Sequence, residues 1–142
     1  MNPVAEDIKD KLVEAEIGVY AATTGWGIFT VREPDEPVTA ITVYSTSGPS
    51  PGYYSDKPPL HYSYFQVRVR ALSDSEAWIK MEEVIDLLDR IGHFDIIVSP
   101  SETIHYVNLL QTMEPVSLQV DDKQHYRWVA NFLAYRKKKR EE

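Results

Sequence analysis

Imidazole is both the commonest metal ligand and the usual general base near neutral pH, so the four histidines are the first place to look for chemistry. Their spacing supplies none. His93 lies two residues before Asp95 just beyond a helix end, His105 sits within a strand, and His125 follows Asp121 and Asp122 in a turn. No pair has the i, i+4 spacing of a zinc-binding helix. The acids Glu82, Glu83, Asp86 and Asp89 fall on the polar side of a helix and read as a solvated face. Gly25 and Gly27 are a fragment of a phosphate-binding loop without a third glycine or a following helix. The Ser-Pro and Ser-Gly pairs lack the G-x-S-x-G elbow of a serine hydrolase. The chain has no cysteine, which removes disulfides, thiolate nucleophiles and cysteine-ligated metal. The residues specify no enzyme, no metal site and no cofactor.

Two other groups carry more information. Arg68 and Arg70 stand two apart on the polar side of a strand beside Tyr62, Tyr64 and Gln66. That group is either an ordinary solvated sheet face with stacked Arg and Tyr, or a protein interface, where Tyr and Arg serve as anchors because each joins apolar area to directional hydrogen bonding. The stretch 47–59 holds four prolines and two glycines beside the adjacent Tyr53 and Tyr54, with Asp56 and Lys57 following. It reads as an extended loop, functional as a projecting arm or else a disordered tip.

The elements that must position these groups are read from periodicity. From Leu60 the odd positions Phe65, Val67, Val69 and Ala71 are apolar and the even positions polar or amphipathic, which is the alternation of a sheet with one covered face. Ser73 and Glu76 then stand at capping-box spacing, and Ala77, Met81, Val84, Leu88 and Ile91, widened by Trp78 and Ile85, form a helical stripe that Gly92 closes. The helix is expected across the apolar face of that strand, with Phe65, Val67 and Val69 against Met81, Val84 and Leu88. A first helix follows Asn2 as N-cap with Pro3 at its first position, Glu6 and Asp7 in its first turn, and Ala5, Ile8, Leu12 and Ala15 as its apolar side.

Residues 25–32 and 38–45 are short strand candidates that need not be neighbours. Residues 94–98, 104–112 and the alternating Val116, Leu118 and Val120 are further strands, and 121–124 make a turn. The closing strand 126–135 is apolar on one face and half apolar on the other, which suggests that the sheet's second face is also covered, by another subunit among the possibilities. Residues 136–142 read as a basic, solvated C-terminal tail.

Length and composition bound the whole. The 142 residues suit one α+β domain, a mixed, mainly antiparallel sheet packed against two helices. A hydrophobic fraction of 43% and a charged fraction of 26% belong to a soluble protein; no run approaches a membrane span and no leader is visible, so a cytosolic product is expected. The net charge of −7 opposes non-specific attraction to DNA or anionic lipid.

Taken in order, the short first helix, the strand ending in Phe29, the second strand running into Ser47-Gly48-Pro49, Pro58-Pro59, the strand Phe65-Gln66-Val67-Arg68-Val69-Arg70 with its helix, and the strand from Asp121 to Arg136 containing Asn131-Phe132 form a pattern. It resembles the tail terminator or minor capsid proteins of long-tailed bacteriophages over nearly the whole chain. The Q-V-R-V-R strand and the N-F strand ending in Arg carry most of the likeness; Ser47-Gly48, where a glycine pair is expected, departs from it.

The resemblance implies a virion protein without catalytic activity or cofactor, placed at the head-proximal end of the tail and assembled in the host cytoplasm. Six copies would form a ring that caps the tail tube, stops its polymerisation and joins the tail to the head. Its partners would be itself, the tail tube protein and the head completion protein, with DNA only passing through and no membrane. Tyr53, Tyr54, Asp56, Lys57, Tyr62, Tyr64, Arg68 and Arg70 are the expected subunit or tube contacts. The competing readings are another neck component, a head completion or adaptor protein, and a small-ligand or enzymatic α+β domain, which would need an enclosed pocket with converging polar groups.

Overall fold

The computed structural model describes residues 1–48, 60–118 and 120–139. Tyr53, Tyr54, Asp56 and Lys57 lie outside them, as does most of the stretch 47–59.

The longest local agreement between pattern and structure is β4 (His61–Ala71) with the helix α2 (Asp74–Ile91). Phe65, Val67, Val69 and Ala71 are fully buried, as alternation requires. The Ser73 hydroxyl accepts from the Glu76 N–H, which satisfies one donor that the first turn leaves orphaned, and Gly92 ends the helix with φ +49°. Ala77, Met81, Val84 and Leu88 are buried as expected. Leu87 joins them, while Trp78, Ile85 and Ile91 pack at the margin.

Helix α1 (Val4–Glu14) starts one residue later than its sequence suggests: Pro3 is the N-cap and no side chain caps it. The Asn2 carbonyl instead accepts from Arg136 Nη1 at 2.6 Å, which fixes Asn2 outside the helix. Ala15, expected on the apolar side, is the C-cap.

The sheet also holds β1 (Val19–Tyr20), β2 (Gly27–Thr30), β3 (Ala40–Thr46), β5 (Phe94–Ser99), β6 (Glu102–Gln111), β7 (Val116–Ser117) and β8 (Tyr126–Lys138). Its order is β1-β2-β3-β4-β8-β6-β5, with β7 also on β8. The expected α+β class, mixed and mainly antiparallel, is what the chain adopts: β1, β2 and β3 are parallel neighbours and the other pairings are antiparallel. The two brief strands that need not have met are thus direct neighbours. Gly25 and Gly27 are accounted for by structure: Gly25 lies in the turn before β2, and Gly27 pairs with Ala40.

The strand expected over Val116, Leu118 and Val120 is only Val116–Ser117, continued by one bond from Leu118 N–H to the Arg127 carbonyl. β8 runs three residues further than read. Arg136 is not part of a solvated tail: it is 8% exposed, because β8 pairs with β4 and β6 through it and its charge is spent inside. Its Nε donates to Ser63 Oγ (2.9 Å) and its Nη1 to Tyr106 Oη (3.3 Å), and it lies 3.5 Å from the fully buried Asp7 carboxylate. Tyr106 Oη donates to Asp7 Oδ2 at 2.5 Å.

Both helices cover the same side of the sheet. Ile8 and Leu12 of α1 and Met81, Val84 and Leu88 of α2 belong to one buried cluster with Phe65, Val67, Val69, Phe132 and Tyr106. Each such burial contributes roughly 1.5–3 kcal/mol. Among the described residues the opposite side of the sheet carries no helix.

Candidate functional site

The helix-free side is where the sequence placed its Tyr and Arg group, and strand register now says who meets whom. Along β4 the residues Tyr62, Tyr64, Gln66, Arg68 and Arg70 stand opposite Tyr135, Leu133, Asn131, Val129 and Arg127 of β8. On the other flank Thr46, Tyr44, Thr42 and Ala40 of β3 stand opposite Tyr64, Gln66, Arg68 and Arg70.

A polar line crosses these strands. Gln66 Nε2 donates to Asn131 Oδ1 (3.0 Å), Arg68 Nε donates to Gln66 Oε1 (2.8 Å), and the Arg68 guanidinium lies over the Tyr44 ring, 5.3 Å from its centroid. Tyr62 and Tyr135 meet edge to face at 5.1 Å. The chain leaving β3 presses on Tyr64: a Cβ on Gly48 would lie 2.6 Å from its ring. Tyr62, Tyr64 and Arg68 are half-buried.

Arg70 departs from the expectation of an exposed contact. It is 4% exposed, and the reason is the connection between β2 and β3. Because those strands are parallel, residues 31–39 must carry the chain back along the sheet, and they do so across the helix-free side. Arg70 Nε donates to the Val38 carbonyl (2.9 Å) and Nη2 to that of Pro37 (2.8 Å). Glu33 Oε1 accepts from Arg70 Nη1 (2.9 Å) and from Arg127 Nε and Nη2 (2.9 and 2.7 Å). Arg127 Nη1 reaches Asp121 Oδ2 at 2.8 Å.

Electrostatics follow this geometry. Asp121 is held down to about 2, first by the His125 backbone N–H and then by Arg127 and the Lys123 N–H. Burial, and after it Glu33, pushes the Tyr44 phenol up. A shallow cleft of about 290 Å³ opens here, lined by Glu33, Asp35, Asp121, Asp122, Lys123 and His125 among others. Glu33 and Asp121 are paired with Arg70 and Arg127, so this cluster is a clamp holding the 31–39 connection to the sheet. Glu33→Ala, which leaves two guanidinium groups without their shared acceptor, is expected to cost about 1–3 kcal/mol in urea unfolding. A cost near zero would mean that the connection is held by its backbone contacts alone.

Arg127 and Glu33 were missed by sequence reasoning. Alternation put Arg127 on a face but could not say that it would stand opposite Arg70. Two histidines have carboxylate partners: His125 lies 3.5 Å from Asp121, and His105 Nδ1 and Asp95 Oδ1 lie 2.6 Å apart, where Lys139, ahead of His105, holds the Asp95 carboxyl below the usual carboxylate range. Among the described residues no group of three or more His, Cys, Asp or Glu could hold a metal ion, and no helix is long and apolar enough to cross a membrane.

What this geometry builds is a surface of stacked and hydrogen-bonded side chains. The family model described as bacteriophage tail terminator protein matches residues 11–137. The chain is therefore a structural protein of the bacteriophage tail. Within that class it belongs to the tail terminator family. Among solved structures, a chain of the "Virion of native gene transfer agent (GTA) particle" has a similar fold, with TM-score 0.53 and 19% identity over 78% of each chain. No curated protein matches.

Proposed function

We propose that this protein forms a ring at the head-proximal end of the tail that caps the tube, ends its polymerisation and joins the tail to the head. The match over residues 11–137 carries this reading, since it spans the sheet and α2 together. The helix-free side supports it, because a sheet side dressed with Tyr62, Tyr64, Tyr135 and Arg68 has the composition of an interface anchor. The partners are five further copies of the chain, the tail tube protein and the head completion protein. DNA passes through the lumen unbound, as a net charge of −7 favours. Assembly takes place in the host cytoplasm.

Within this reading the loop 47–59 reaches a neighbouring subunit or the adjoining tail ring. Its prolines reduce the entropy lost on ordering, Tyr53 and Tyr54 offer two rigid surfaces, and Asp56 and Lys57 can pair across a contact. Shortening it to a tight turn is expected to leave a folded protein and to produce tubes of uncontrolled length that fail to join heads, visible by electron microscopy. Tubes of normal length that stay unjoined would move the protein to the head side of the neck. Normal, joined tails would remove the loop from the contact surface.

A further inference from the structure

Besides Ile97 of β5 and Val107 of β6, the large apolar side chains that the sheet leaves in solvent fall in two groups. One group lies at the β1–β2 end, where Val19, Tyr20 and Val31 are exposed. A second lies at the far end, where Leu110, Met113, Val116 and Leu118 are exposed along the run from β6 into β7. Leu110 stands opposite Leu133 and Val116 opposite Val129, so this strip belongs to the helix-free side.

Beyond Tyr106 no described strand pairs with the outer edge of that run, because β5 pairs with β6 only through it. β1 is likewise paired on one side only. The two edges are five strand spacings apart, about 24 Å along the sheet. They carry different residues, so a contact of one edge on the other is heterologous.

The β1–β2 end is also where the backbone is strained. Of four non-glycine residues with positive φ among the described residues, three are here: Glu16, Ala21 and Val31. Val31 is a β-branched residue at φ +73° in a tight turn closed by the Arg32 N–H on the Thr30 carbonyl (2.8 Å), yet its side chain is 81% exposed. The turn starts the 31–39 connection, and it does so with an apolar side chain left in water. Charge is complementary as well. Arg32, beside Val31, and Glu114, between Met113 and Val116, are both exposed and have no ion pair among the described residues.

We infer that the β1–β2 end of one copy docks on the β6–β7 strip of the next, with Val31 on the apolar strip and Arg32 paired with Glu114. Such a head-to-tail contact repeats from copy to copy, and where its rotation closes it generates a ring. This rests on the proposed ring. It adds which two surfaces of the subunit meet.

The absence of native cysteine makes the test direct. Val31→Cys and Val116→Cys, both at exposed positions that tolerate substitution, are mixed with a size tag on one and treated with a short bismaleimide, alone and with purified tail tubes. The expected result is a linked pair in the mixture, monomers from either variant alone, and a ladder from the double variant. Arg32→Glu should lower the yield about tenfold, and adding Glu114→Arg should restore it.

Linkage of either single variant to itself would overturn the head-to-tail contact in favour of a two-fold one. Absence of linkage in a protein that sediments as an oligomer would overturn these surfaces and leave the ring reading standing. Absence of linkage in a protein that remains monomeric even with tubes present would overturn both.

Discussion

Arg136→Met is expected to lower the free energy of unfolding by about 3–5 kcal/mol near neutral pH. The guanidinium joins the segment before α1 to β4 and β6 through Asn2, Ser63 and Tyr106, and it is the cation facing the fully buried Asp7. Methionine keeps much of the volume but leaves the carboxylate with only the Tyr106 hydroxyl and a 3.5 Å contact from Asn2 Nδ2. The pH dependence identifies the source. Burial is the largest influence on Asp7 and raises its carboxyl above the ordinary 3.8, against the pull of Tyr106, Asn2 and Arg136.

A folded-state value above the unfolded one means that the native chain binds the proton more tightly. The stability this contributes is complete below 3.8 and is lost as pH rises through the folded value. Removing Arg136 raises that value further, so the variant's deficit should shrink as the solution is acidified toward about pH 4. Urea unfolding across that range measures it. A deficit that stays constant would place the cost in lost packing and hydrogen bonds, with Asp7 uninvolved.

Leu88→Ala is expected to cost about 2–5 kcal/mol. Leu88 is buried on the core side of α2 and also borders a cleft of about 270 Å³ shared with Ile85, Leu109 and Phe132. Truncation enlarges a space that is already unfilled, so relaxation around it recovers little. Ile79 on the outer side of the same helix is exposed, and Ile79→Ala should change stability by no more than about 0.5 kcal/mol. Denaturant midpoints for the two variants provide the comparison, and equal small losses would show that α2 is not held through Leu88.

The parts of the fold that could be read from sequence are those whose causes are local. The alternation in β4, the Ser73 cap and the Gly92 stop act over a few residues, and all three appear where the pattern puts them. What could not be read depends on partners distant in sequence. Asp7 looks like a first-turn acid suited to the helix dipole, and it becomes a buried anion only because Tyr106 and Arg136 arrive from 99 and 129 positions away. Arg136 looks like the first residue of a basic tail for the same reason. Arg70 looks like its neighbour Arg68, and the two differ because a parallel pairing sends the chain across one and not the other. Of the expected contact surface, Tyr62, Tyr64 and Arg68 keep the place that alternation gave them.

The strand order has a consequence for how the molecule comes into being. β8, formed by the chain's last described strand, occupies the interior of the sheet and pairs with β4 from His61 opposite Arg136 to Ala71 opposite Tyr126. During synthesis β3, β4 and α2 emerge well before it, with Phe65, Val67 and Val69 awaiting half of their neighbours. Closing this pairing means closing a long chain segment before its contacts give any return, which is the slow kind of folding. A chain that ends before residue 126 has an open interior edge and an uncovered core, a species prone to stick to others like it. Emergence of β8 is thus the step that makes the sheet whole.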